Sequence, residues 1–168
     1  ISDLLNMARI EARQMDFQEE AVPLSEVVDE AFRLTRLSPG ETRQTVARTL
    51  PDPMPVLRAD RRALKQVLIN LLSNARDASP PGGVIRVTSE VAEQTVYLTV
   101  EDEGSGIPKE IQDRLFEPFF TTKDPGEGTG LGLALVYSII EEHYGQIDID
   151  SPADPETQRG TRFRITLP

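Results

Sequence analysis

At Pro80-Pro81-Gly82-Gly83 the hydrophobic pattern of the chain changes period, and the switch restricts which architectures it can adopt. Before the break, Leu64, Val67, Leu68, Leu71, Leu72 and Ala75 recur at helical spacing, and Asp60 stands where a side chain can cap the start of that helix. After it, Val84-Ile85-Arg86-Val87-Thr88 and Val96-Tyr97-Leu98-Thr99-Val100 alternate with period two around a polar Glu93-Gln94, the pattern of an antiparallel hairpin. A long amphipathic helix feeding a hairpin puts both element types in one core.

The flanking segments continue the mixture. A helix is expected from about Leu24 to Leu37, stopped by Pro39-Gly40, then a strand over Thr45 to Leu50 that the proline run Pro51 to Pro55 ends as a loop. A short helix within Ile107 to Phe116, a mobile loop over Glu117 to Gly130, a helix over Leu131 to His143 and strands at Gln146 to Asp150 and Thr161 to Leu167 complete the pass. The expected class is α+β: a two-layer α/β sandwich whose mixed, mostly antiparallel sheet carries helices on one face. Ile1, Leu5, Ala8, Ala12 and Met15 lie at spacings of 4, 3, 4 and 3, the seam of a helix packed on another helix. So short a stretch reads as the tail of a coiled coil or bundle, or as a helix lying on the domain's own core. The chain opens without Met and already inside this pattern, which reads as a fragment of something longer.

Composition narrows the functional classes. Eighteen basic against 28 acidic residues give a net charge of -10, so long-range attraction to nucleic acid or anionic lipid is not expected, and an anionic ligand would need local help. The absence of Cys excludes disulfides, thiolate metal sites and a thiol nucleophile. The nearly apolar run Leu131 to Ile140 falls short of the roughly 20 residues that cross a bilayer. With no secretory leader in view, a cytoplasmic setting is expected, with anchoring of a longer parent left open.

Four constellations carry chemistry. Asn70 and Asn74 lie one turn apart on a flank of the long helix, with Asp77 three residues on, so two carboxamide oxygens could ligate a hard cation such as Mg²⁺. Asp102-Glu103-Gly104-Ser105-Gly106-Ile107 places a carboxylate at a strand end before two glycines, where it could accept a hydrogen bond from an exocyclic amine while a base packs on Ile107. Gly126-Glu127-Gly128-Thr129-Gly130-Leu131-Gly132-Leu133 opens directly into a helix, whose unpaired N-H groups and dipole favour phosphate. Gly160-Thr161-Arg162-Phe163 begins the last strand, with a hydroxyl able to support a buried carboxylate. Singly, each is also what a polar helix flank, a turn or a surface strand presents. No Gly-Lys pair exists, which excludes the usual P-loop, and glycines at 126, 128, 130 and 132 do not fit G-x-G-x-x-G.

Jointly, these motifs and the segment Leu115-Phe116-Glu117-Pro118-Phe119-Phe120-Thr121-Thr122-Lys123 resemble, in order, the catalytic and ATP-binding domain of sensor histidine kinases, of the Bergerat-fold superfamily shared by gyrase, heat-shock chaperone and mismatch-repair ATPases. The likeness covers roughly residues 24 to 168. It implies a division into residues 1–20, the C-terminal part of a dimerisation and phosphotransfer helix, and 21–168, the catalytic domain. It implies ATP and Mg²⁺ as cofactors. Asp102 would bond the adenine amino group with Thr161 supporting it through water, and Gly104, Gly106 and Ile107 would shape the base pocket. Asn74 would ligate Mg²⁺ with Asn70 as a further metal or phosphate-side ligand. Gly128, Thr129, Gly130, Leu131, Gly132 and Leu133 would present amides to phosphate, and Arg76 and Lys123 would reach it with basic side chains. Asp77 stands where many members carry an aromatic, so adenine stacking is not carried over to it.

ATP-hydrolysing relatives generally have Glu where Asn70 stands, and an amide cannot act as general base. The resemblance therefore implies delivery of the γ-phosphoryl group to a protein nucleophile, with Asn70 the one candidate for a catalytic part. The only histidine, His143, lacks the acidic neighbour of the family's acceptor motif and reads as a helix-end structural residue. The acceptor is then expected outside this fragment, on a dimerising hairpin of a homodimeric parent, with relay to a response regulator receiver domain. Two readings use the same residues differently: an interaction module that has lost nucleotide, and a serine kinase of the same superfamily.

Overall fold

The computed structural model describes residues 18–37, 44–51, 55–117, 132–152, 156 and 159–168. The expected leading helix and the expected loop from Pro118 to Gly130, including Phe119, Phe120, Lys123 and Gly128 to Gly130, lie outside the described residues, as does Leu131. Within them, strand β1 (Glu19–Pro23) leads into helix α1 (Leu24–Leu34), followed by β2 (Thr45–Thr49), β3 (Val56–Asp60) and the long helix α2 (Arg61–Ala78). The hairpin is β4 (Val84–Ala92) and β5 (Thr95–Asp102); α3 (Lys109–Gln112), α4 (Gly132–Glu142), β6 (Gln146–Asp150) and β7 (Thr161–Leu167) complete the order.

Among the described residues the main sheet runs β2-β4-β5-β7-β6, with β2 parallel to β4 and every other pairing antiparallel. Alternation supplies its inner face: Ile85 and Val87 on β4, Val96, Leu98 and Val100 on β5, and Phe163, Ile165 and Leu167 on β7 are buried. Helices cover that face. The buried stripe of α2, from Ala63 and Leu64 to Ala75, packs against Val27, Val28 and Ala31 of α1 and Leu135, Val136 and Ile139 of α4 in one core. This is the expected sandwich with helices on one face of a mostly antiparallel sheet.

Four elements differ from expectation. β1 and β3, strands that the sequence pattern does not announce, form a separate antiparallel pair with Val22 opposite Leu57. α1 ends at Leu34 rather than Leu37, because Arg36 turns left-handed (φ 59°) and the Leu37 N-H donates back to the Phe32 carbonyl at 2.9 Å. Leu37 is thereby buried while Leu34 is exposed. The expected helix within Ile107 to Phe116 is a single turn, α3, followed by turns.

The start of α2 is fixed by two side chains. Asp60 Oδ1 accepts from the N-H groups of Arg62 and Ala63 at 3.1 and 3.2 Å, the cap the sequence places there. His143, buried at the end of α4, accepts the Asp60 N-H through Nε2 at 3.1 Å, while Nδ1 lies 2.8 Å from the Ile139 carbonyl. The carbonyl requires the proton on Nδ1, so the ring is held in one neutral tautomer.

Candidate active site

The parity of β5 builds the first half of the site. Val96, Leu98 and Val100 point into the core, and two residues later the same face carries Asp102, a carboxylate only 6 % exposed. Its Oδ1 accepts the Gly104 N-H at 2.8 Å and the Thr161 N-H at 3.2 Å. Thr161 thus supports Asp102 through its backbone, from the facing position on β7. Both bonds land on Oδ1, so among the described residues Oδ2 is the oxygen without a hydrogen-bond partner. Burial pushes the Asp102 carboxyl above the ordinary carboxylate value, opposed by the N-H groups of Gly104 and Thr161 and assisted by the charge of Glu101.

The glycines after Asp102 hold this turn against two neighbours. A Cβ on Gly104 would stand 2.6 Å from the Ala78 carbonyl oxygen, so only glycine lets the turn sit on the end of α2. Gly104 in turn accepts the Gly160 N-H at 2.8 Å. Gly106 adopts φ +86° beside Ser151, whose hydroxyl accepts the Ile107 N-H at 2.7 Å and donates to the Gly160 carbonyl at 3.0 Å. Ile107 is half-buried and packs on the core.

The second half lies along the same helix. Asn70 and Asn74 are half-buried on α2. The Asn70 Nδ2 donates to the carbonyl of Gly132, the first residue of α4, at 3.2 Å, and Gln66 Nε2 donates to Asn70 Oδ1 at 3.1 Å. The stretch of α2 from Asn70 to Ala78 therefore touches the start of α4 at one end and the Asp102 turn at the other, about 12 Å apart along the helix axis. Leu133 is half-buried against the core.

Arg76 donates to the Thr35 carbonyl at the end of α1 and lies 3.7 Å from exposed Asp77, so in this arrangement it supports the helix end. Ser151 and Gln66 are contributors the sequence reading left out. Nothing local marks Ser151, whose partners are 44 and 9 residues away. Gln66 stands one helical turn before Asn70, a spacing that was there to be read.

The donor set suits a purine nucleotide with a hard cation. A buried carboxylate with one oxygen uncommitted is an acceptor for an amino group, and carboxamide oxygens one turn apart are the neutral oxygen ligands that Mg²⁺ takes alongside phosphate and water. No three His, Cys, Asp or Glu side chains converge on a metal position among the described residues, so a cation here would rely on such oxygens.

A family profile described as histidine kinase-, DNA gyrase B- and HSP90-like ATPase matches residues 59–168, and the chain belongs to that family. Within it, the chain is homologous to the ATP-binding catalytic domains of sensor histidine kinases. Sporulation kinase A of Bacillus subtilis is 34 % identical over 168 residues, covering 100 % of this chain and 26 % of that protein. The solved catalytic domain of histidine kinase ThkA, in a nucleotide-free form, superposes with a TM-score of 0.77 at 34 % identity, covering 92 % of this chain and 96 % of that one. Full-length ShkA in complex with AMPPNP gives a TM-score of 0.84 at 25 % identity over 99 % of this chain and 34 % of its own. The chain spans about a quarter or less of the length of several kinases it matches.

Proposed function

We propose that this domain binds Mg-ATP between the Asp102 turn and the Asn70–Asn74 flank of α2, and delivers the γ-phosphoryl group to a histidine outside this chain. The observation that carries the reading is buried Asp102 on the inner face of the sheet, whose Oδ2 has no hydrogen-bond partner among the described residues and which stands one glycine turn from the end of α2. Asp102 would take the purine amino group, Gly104, Gly106 and Ile107 would shape the base pocket, and Asn74 with Asn70 would hold Mg²⁺. When bound, the cation supplies charge neutralisation on the phosphate oxygens. Gly128 to Leu133 and Lys123 complete the phosphate side of the proposal.

Transfer is favoured over hydrolysis by the chemistry of position 70. The Gly132 carbonyl fixes an N-H on that side chain, and a carboxamide has no basic site with which to activate water. Internal transfer is disfavoured by His143, whose two ring nitrogens are engaged by Ile139 and Asp60. The acceptor then belongs to a dimerisation domain of the same protein, of which residues 1–20 would be the last part, and a receiver domain of a response regulator would take the phosphoryl group onward. No described helix is long and apolar enough to cross a membrane.

Mixing this chain with a histidine-bearing dimerisation domain and γ-labelled ATP tests the reading. Label on the partner that is lost in acid and kept in base is the expected result. Bound ATP with only free phosphate released, or with acid-stable label, would overturn it.

A further inference from the structure

Beyond the groups that would touch nucleotide, the Asn70 flank of α2 carries a relay of two carboxamides. The Gly132 carbonyl can only accept, so the atom of Asn70 that faces it at 3.2 Å is Nδ2. That choice turns Oδ1 toward Gln66, and because Oδ1 can only accept, the atom of Gln66 facing it at 3.1 Å is Nε2. A single main-chain carbonyl therefore fixes the orientation of two carboxamides in series, with no flipped alternative that keeps both bonds. All three residues are half-buried, and Gln66 and Asn70 lie at i and i+4 on α2 while Gly132 begins α4. Among the described residues Asn70 is left with one acceptor direction on Oδ1, defined by the bond that Gln66 already makes.

Resting on the nucleotide reading above, we infer that Gln66 is a positioning residue for the cation. It locks the Asn70 carboxamide so that its remaining lone pair is preset for a hard ion, and it ties that lone pair to the first residue of α4. A free asparagine on a helix flank samples several rotamers and would have to be ordered by the ion; one clamped on both sides does not. Gln66 thus contributes to metal-dependent affinity while touching neither metal nor nucleotide.

The test is calorimetry of ADP with Mg²⁺ and, separately, with EDTA, on the wild type, Gln66→Met, Asn70→Ala and the double variant. Gln66→Met keeps the side-chain length and removes the donor. It is expected to weaken Mg-ADP binding about fivefold to tenfold and to change metal-free ADP binding less than about twofold. In the Asn70→Ala background the same change is expected to have no further effect, since its route of action is gone. In ligand-free protein, the Asn70 side-chain amide NMR resonances should shift and broaden in Gln66→Met while the core backbone resonances stay in place. Equal losses with and without Mg²⁺, a full additional loss on top of Asn70→Ala, or unmoved Asn70 resonances would each overturn the inference while leaving nucleotide binding intact. A wild type that binds ADP under neither condition would instead overturn the reading on which it rests.

Discussion

The two ends of the site are built on different principles. The Asp102 end is held by main chain: N-H groups of Gly104 and Thr161 grip one carboxylate oxygen, Gly160 bonds Gly104, and the turn lies so close to Ala78 that a methyl group would not fit. The Asn70 end is held by a carboxamide relay, in which Gln66 donates to Asn70 and Asn70 to the Gly132 carbonyl, with only Asn70 near the glycine among the described residues. The Asp102 end is therefore fixed by close main-chain packing, whereas the Asn70 end is fixed by hydrogen bonds that side chains make.

The sharpest challenge to that contrast is Asp102→Ala. Losing a charge-assisted hydrogen bond in a buried pocket should weaken nucleotide binding about 100-fold, read by calorimetry, with Mg²⁺ dependence retained because the other end is intact. Gly104→Ala addresses the packing of the same end. With backbone atoms of Ala78 at 2.6 and 2.9 Å from the new Cβ, the turn must shift, and a loss of about 2 kcal/mol is expected in denaturant unfolding.

Smaller effects follow from protonation. In the folded protein the Asp102 carboxyl titrates above its ordinary value, so the native state keeps a proton that the unfolded chain has already released. Its contribution to stability is full on the acid side of the ordinary carboxylate value and is lost as pH rises through the raised folded value. Asp102→Asn should remove that decline, visible in paired unfolding curves across the window. Nucleotide affinity runs the other way: the purine amino group needs the ionised carboxylate, so binding should weaken as pH falls through the same window and should release protons there. The smallest effect is expected at the loosely packed end. A Cβ on Gly132 would meet Asn70 only at 3.9 and 4.0 Å, ordinary contact, so Gly132→Ala should change stability by less than about 0.5 kcal/mol. A loss matching that of Gly104→Ala would erase the distinction between the two ends.

Much of the base end could be read in the sequence, because it follows from parity. Once Val96, Leu98 and Val100 are assigned to the inner face, Asp102 must share it, and the glycines that follow mark a close approach. The Asp60 cap was equally plain. The pair β1 and β3 was hidden because β1 buries Val22 alone among its residues and ends in a proline, while β3 sits between a proline and a helix cap. The early stop of α1 was hidden because its left-handed residue is Arg36 rather than glycine, and Leu37 looks like one more helical apolar position. The role of Ser151 and the bond from Arg76 to the Thr35 carbonyl depend on contacts across the fold, which no local pattern encodes.

The central claim is that Asp102 Oδ2 receives the exocyclic amino group of a purine, and one comparison isolates that bond. Affinities of ADP and of its analogue lacking the 6-amino group, purine riboside diphosphate, are measured on the wild type and on Asp102→Ala. The account predicts that the wild type prefers ADP by about tenfold or more and that Asp102→Ala shows no preference. The same preference in both proteins, or none in the wild type, would contradict it.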